Sequence, residues 1–163
     1  MEKINVLFVC MANICRSPAA EGVFVKLIKD RALEGSFRVD SAGTHAYHEG
    51  EVPDARTQQS ALLRDVKLAH LRARKVVMGD FEDFDYLLVM DDDNYAVLMN
   101  ACPEQYKAKI HYFLDFAPHL GVREVPDPYY GGIYGFERVL DLIEEASLGF
   151  LECLKTTRLP INN

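Results

Sequence analysis

At position 10 a cysteine stands six residues ahead of an arginine, in the segment Cys10-Met11-Ala12-Asn13-Ile14-Cys15-Arg16-Ser17. A thiolate can attack phosphorus and a guanidinium fork can hold two phosphoryl oxygens at once, so the pair suits phosphoryl transfer through a covalent cysteine. Spacing alone is weak evidence. With four Cys and ten Arg in 163 residues, chance supplies about 0.25 such pairs per chain.

Context gives the pair its weight. Cys10 ends a β-favouring run, Ile4 to Val9, and Arg16 precedes Ser17-Pro18, which offer an N-cap and a first-turn proline to a helix. Ala20, Val23, Phe24, Leu27 and Ile28 then repeat at helical spacing. A loop between such a strand and helix can curl its backbone N–H groups inward as an anion nest. In that nest Cys10 is expected to be a nucleophilic thiolate near neutral pH. Met11, Ala12, Asn13, Ile14 and Cys15 would form the phosphate cradle, with Asn13 tolerating a left-handed backbone. Ser17 can donate a hydrogen bond to the sulfur and ease its departure.

The leaving oxygen needs a proton, and a carboxylic acid is the usual donor. Asp127 is the candidate, in Val125-Pro126-Asp127-Pro128-Tyr129-Tyr130. Its flanking prolines stiffen the loop, and Tyr129 and Tyr130 could wall a flat aromatic substrate.

These residues have to be positioned by a scaffold, and the chain alternates strand and helix patterns. A second strand is expected at Phe37 to Asp40, followed by a rim connection through Gly43, Gly50 and Pro53 to a helix capped by Asp54. A third, Tyr86 to Met90, ends in Asp91-Asp92-Asp93-Asn94 and a helix to about Asn100. The fourth is expected at Lys109 to Leu114, then an ordered loop from Gly121 to Gly135. Phe136, Val139, Leu140, Ile143, Leu151 and Leu154 mark a long amphipathic helix, and residues 159–163 a frayed tail. This order implies an α/β fold: a single-domain, three-layer, flavodoxin-like sandwich over residues 1–163 with a four-stranded parallel sheet. Ligands of such sheets bind beyond the carboxyl ends of the strands, where Cys10, the turn after Asp40 and Asp91 would meet.

Composition narrows the classes. A net charge of −7 argues against a nucleic-acid binder, and no apolar run approaches the length of a membrane helix. The N-terminus lacks a signal-peptide pattern, so a cytoplasmic protein is expected. Cys10, Cys15, Cys102 and Cys153 show no zinc spacing and are read as catalytic or buried thiols. His45, His48, His111 and His119 are read as surface or packing residues, and Asp91 to Asp93 as a turn rather than a metal site. No metal or cofactor is expected.

Together the Cys10–Ser17 and Val125–Gly132 segments resemble the low-molecular-weight protein tyrosine phosphatase family, over nearly the whole length. The resemblance implies Cys10 as nucleophile, Arg16 as phosphate-binding residue, Asp127 as general acid and a phosphotyrosine phosphatase I-like fold. It also implies that Ser41, in Phe37-Arg38-Val39-Asp40-Ser41-Ala42-Gly43-Thr44, bonds Asn13 and braces the loop. Tyr47 lies where many members place a Trp on the substrate wall, and Asp91 could brace the phosphate loop. Met11-Ala12 replaces the usual Leu-Gly. The family's His-x-Ala-Arg element appears one residue longer, as His70-Leu71-Arg72-Ala73-Arg74. Ile14, where an arginine-phosphate branch carries Thr, favours tyrosine substrates. The implied partner is a phosphotyrosine protein, a tyrosine kinase among the candidates, acted on by a monomer or weak dimer.

Two rival functions stand beside hydrolysis: arsenate reduction, which needs a resolving thiol such as Cys102, and a non-catalytic phosphopeptide-binding module. Cys15 reads equally as a packing thiol and as a redox partner that captures oxidised Cys10.

Overall fold

The computed structural model describes residues 2–129 and 131–159. Strand β1 (Ile4–Cys10) is buried along nearly its whole length because both of its faces are covered. Ile4, Val6, Phe8 and Cys10 pack into one apolar cluster, and Leu7 and Val9 into another on the opposite face. That two-sided burial explains a continuous apolar run rather than a polar alternation. At the centre of the first cluster, Phe8 meets Phe24 and Phe113 edge-on, and truncating such a ring typically costs about 3–5 kcal/mol.

After the phosphate-loop candidate the chain forms α1 (Arg16–Asp30), β2 (Phe37–Gly43), α2 (Ala55–Leu62), α3 (Met78–Asp83), β3 (Tyr86–Val89), α4 (Asp92–Ala101), β4 (Ile110–Tyr112) and α5 (Ile133–Thr157). All strand pairs are parallel, in the order β2-β1-β3-β4. Helices α1 and α5 cover one face of the sheet; α3 and α4 contribute to the other cluster. Successive connections leave β1 in opposite directions, to β2 and to β3, so the crevice between the ends of β1 and β3 is the topological switch point.

Several expected boundaries move. Strand β2 runs three residues past Asp40, because Ser41, Ala42 and Gly43 pair with Phe8, Val9 and Cys10. Gly43 is required there: a Cβ would sit 2.7 Å from the carbonyl oxygen of Met11. Strand β4 is shorter than expected, since Phe113–Phe116 turns into a 3-10 helix. Helix α5 begins before Phe136, inside the segment expected to be loop. Helix α3 was not expected; the Asp80 carboxylate accepts from Val77 N at 2.8 Å and closes its first turn. Leu159, placed in the frayed tail, is buried and its N–H bonds the Leu154 carbonyl. Residues 160–163 and Tyr130 lie outside the described residues. Among the described residues no helix is long and apolar enough to cross a membrane.

Candidate active site

The loop between β1 and α1 is held from outside. Thr44 N donates to the Cys10 carbonyl and His45 N to that of Met11, both at 2.9 Å, and Asp54 N to that of Ile14 at 2.8 Å. Those carbonyls are thus occupied by neighbouring segments, which hold the turn in place. Asn13 makes the turn possible by adopting φ +60°, a left-handed conformation asparagine tolerates.

One expectation about this turn is corrected. Helix α1 starts at Arg16, with Cys15 at the N-cap and no side-chain cap, so Ser17 is inside the first turn. Its hydroxyl is diverted inward: Ser17 Oγ lies 3.0 Å from Cys10 Sγ and accepts from Asn13 Nδ2 at 2.7 Å. The neighbours orient the hydroxyl for the sulfur contact. Arg74 N donates to Asn13 Oδ1 at 3.0 Å, which points the amide nitrogen at both Ser17 and Ser41. Accepting from that nitrogen leaves Ser17 Oγ its own proton and a second lone pair for the sulfur contact. Ser17 is thereby placed to donate to Cys10 Sγ whenever the sulfur acts as acceptor.

Arg16 is 2 % exposed, yet its charge is well compensated. Nη1 donates to Asp91 Oδ2 at 2.6 Å and to the Val125 carbonyl at 3.0 Å, while Nη2 lies 3.7 Å from Asp127 Oδ2. Burial alone would pull the guanidinium down, but Cys10, Asp91 and Asp127 outweigh it and hold it above its ordinary value. With Nη1 anchored, the rest of the fork is turned to the cleft, which Arg16 lines together with Cys10.

Asp127 lines the same cleft, half-exposed, and its Oδ1 accepts from Tyr129 N at 3.0 Å. That short bond fixes the carboxyl within its loop. The loop itself is tied to β3 by Val125 N bonding the Met90 carbonyl at 2.7 Å. Met11, Ala12, Ile14, Cys15, Tyr47 and Tyr129 line it as well. Tyr47 is stacked on His45 at 5.0 Å between ring centroids. The Cys15 thiol is buried, and burial is the main cause pushing it up to about 12, with the charges of Asp54, Cys10 and Asp127 adding to it and a contact from Thr57 opposing.

Ser41 stands beside the loop, its Oγ accepting from Asn13 Nδ2 at 3.0 Å and donating to Glu21 Oε1 at 2.7 Å. Sequence reasoning passed over Glu21 and Arg56, read His48 as a surface or packing residue, and gave Arg74 no role of its own. Glu21 sits on the buried face of α1, where a carboxylate was not looked for. Arg74, which also pairs with Asp40 and Asp80 at 3.0 Å each, supports the loop through its backbone N–H. His70 is exposed and lines a different cleft with Glu21. Arg56 forks onto Asp54 and lies over the rings of Tyr129 and Phe136 at 5.3 and 4.8 Å. His48 lines the active cleft, a position its lack of ligand spacing did not reveal. Among the described residues no cluster of three or more His, Cys, Asp or Glu could hold a metal ion.

Comparison with known proteins gives a consistent picture. The model of a family described as low molecular weight phosphotyrosine protein phosphatase matches residues 5–159. The low molecular weight phosphotyrosine protein phosphatase of Schizosaccharomyces pombe is 39% identical over 154 residues, covering 94% of this chain and 98% of that one. The human protein of the same name is 39% identical over 150 residues, 91% and 94% of the two chains. A solved protein tyrosine phosphatase from Entamoeba histolytica superposes with a TM-score of 0.92 at 45% identity, covering 96% of this chain and all of that one.

Proposed function

This chain belongs to the low molecular weight phosphotyrosine protein phosphatase family, and on that premise we propose that it hydrolyses phosphotyrosine through a phosphocysteine on Cys10. It is a hydrolase acting on phosphotyrosine-containing proteins, as its family is. The residue roles are our reading of the geometry.

In the first step Cys10 Sγ attacks phosphorus in line with the ester oxygen. The S–P bond forms as the P–O bond breaks, and Asp127 delivers its proton to the departing phenolate. Charge spreading over the equatorial oxygens is met by the loop N–H groups and by Arg16, whose orientation Asp91 maintains. In the second step water attacks phosphorus, Asp127 takes its proton, and the S–P bond breaks to release phosphate and the thiolate. Ser17 stabilises that leaving thiolate. The observation carrying the reading is the 3.0 Å contact of Ser17 Oγ with Cys10 Sγ, in a cleft that Cys10 lines together with Arg16 and Asp127.

Tyr47 and Tyr129 favour a flat aromatic ester, and an aliphatic Ile14 among the lining residues supports tyrosine over arginine phosphate. The arsenate-reductase reading finds little support. Cys102 is buried in the cluster opposite the one holding Cys10, its thiol directed to the Pro103 carbonyl. A pure binding module would not require Asp127 at the cleft. Four free thiols suit a reducing compartment, and we place the protein in the cytoplasm, acting as a monomer or weak dimer on substrates that include tyrosine kinases. The test is side-by-side hydrolysis of phosphotyrosine, phosphoserine and phosphoarginine peptides with EDTA present. Phosphotyrosine should be cleaved fastest and EDTA should change nothing; preference for phosphoarginine, or loss of activity with EDTA, would refute the reading.

A further inference from the structure

Tyr47 lines the cleft with Cys10 and Arg16, yet it is 67% exposed and sits on a connection outside any helix or strand. A ring so placed is free to turn unless a neighbour holds it, and ordering it when a ligand binds would cost affinity. His45 supplies the hold. The two rings are stacked, 5.0 Å between centroids and 11° from parallel, so the imidazole covers one face of Tyr47 and leaves the rest of the ring accessible.

His45 is itself fixed to the loop after β1. Its backbone N–H donates to the Met11 carbonyl at 2.9 Å, and its ring Nδ1 lies 2.8 Å from Thr44 Oγ1. Thr44 is buried, and its own N–H donates to the Cys10 carbonyl at 2.9 Å. The imidazole is therefore registered to the nucleophile through two adjacent residues, and Tyr47 through the imidazole. His45 is half-buried and is not among the residues that line the cleft, so any effect it has on a ligand there passes through Tyr47.

We propose that His45 is a positioning residue for substrate choice: its imidazole presets Tyr47 as an aromatic platform at the cleft and so selects aryl over alkyl phosphate monoesters. An aryl ester meets a ring already in place and gains the contact without the entropy of ordering it. An alkyl phosphate has no ring to set against Tyr47 and gains nothing from the stack.

Competitive inhibitors that are not hydrolysed separate the ring from the phosphate. His45→Ala should weaken inhibition by phenylphosphonate about three- to tenfold, the worth of a stacked aromatic pair, and leave inhibition by methylphosphonate unchanged. His45→Phe, which keeps a flat ring, should restore phenylphosphonate binding. Tyr47→Ala should lose at least as much as His45→Ala, and the double variant no more than Tyr47→Ala alone. Equal weakening of both phosphonates would make His45 a support of the phosphate loop; losses that add, or no rescue by phenylalanine, would uncouple it from Tyr47; each overturns the proposal. It rests on the phosphotyrosine reading, which fails separately, if the parent cleaves phosphoserine or phosphoarginine peptides faster. With phosphotyrosine still preferred, unchanged phenylphosphonate inhibition in His45→Ala sinks His45 alone.

Discussion

Asp91 holds Arg16 and caps α4 with the same carboxylate: Oδ2 accepts from Arg16 Nη1 at 2.6 Å and Oδ1 from Asn94 N at 2.8 Å. The two bonds join the end of β3 to the start of α1 across the switch point of the sheet. They can be separated by mutation. Asp91→Asn retains a good capping oxygen but loses the charge, whereas Asp91→Ala loses both. Both variants should lower kcat/KM by about 10- to 100-fold, because the fork of Arg16 is misplaced. Asp91→Ala should be the less stable by about 1 kcal/mol, the usual worth of a cap. Thermal denaturation and steady-state kinetics on the two proteins check this, and full activity in Asp91→Asn would show that Arg16 needs no such partner.

Asp127→Asn should slow hydrolysis of phenyl phosphate by at least about 100-fold, since a poor leaving group needs the proton. With p-nitrophenyl phosphate, whose phenolate leaves unaided, the loss should be much smaller. Equal losses across a leaving-group series would remove Asp127 from the acid role.

Cys15, with its thiol pushed up to about 12 by burial, remains protonated at neutral pH. Iodoacetate at pH 7 should therefore alkylate Cys10 and spare Cys15, as peptide mapping can read. Peroxide inactivation of the parent should be reversed by dithiothreitol, whereas that of Cys15→Ser should progress to irreversible oxidation. Unchanged reversibility in the variant would assign Cys15 to packing.

Glu21 gives a stability signature whose sign is fixed. Its folded-state value, pushed by burial up to about 7, lies above the ordinary 4.5, so between these pH values the native state holds the proton more tightly than the unfolded chain. Stability contributed by that proton is fully present below about pH 4.5 and is lost as pH rises through 7, by up to about 3 kcal/mol. Glu21→Gln should flatten this component of the melting profile. A parent whose stability is level across the window would contradict the buried, high-lying carboxyl.

A stabilising cluster lies away from the chemistry. Arg64, after α2, meets Glu137, Asp141 and Glu144 on α5 at 2.7 to 3.0 Å. These groups are partly exposed, so Arg64→Ala should cost only about 1 kcal/mol, less at high salt. Urea denaturation at two ionic strengths measures it, and a cost independent of salt would point to packing of the side-chain stem instead.

The parts of the site visible in the sequence are those made by neighbours in the chain. Cys10, Arg16 and the left-handed Asn13 belong to one turn, and the β1 and α1 patterns flanking it are local. Asp127 showed because prolines frame it. By contrast, Glu21, Ser41, Asn13 and Arg74 come from four segments, and only the parallel pairing of β1 with β2 brings their polar atoms together. In the His70 to Arg74 element it is the backbone N–H of Arg74 that supports Asn13, a contact no side-chain motif announces. Ser17 read as a helix cap because Ser-Pro usually is one; the sulfur next to it competed for the hydroxyl. Short α3 carries too little periodicity to be seen, and β2 hid its last residues behind a Ser and a Gly that are buried for contact rather than hydrophobicity.

The covalent step can be observed directly. Enzyme quenched with acid during turnover of an aryl phosphate, then digested and analysed by mass spectrometry, should carry a phosphoryl group on the peptide containing Cys10, accumulating further when Asp127 is replaced by Ala and water is left without its base. Phosphate found on another residue, or no phosphorylated peptide under conditions of rapid turnover, would contradict the cysteine route.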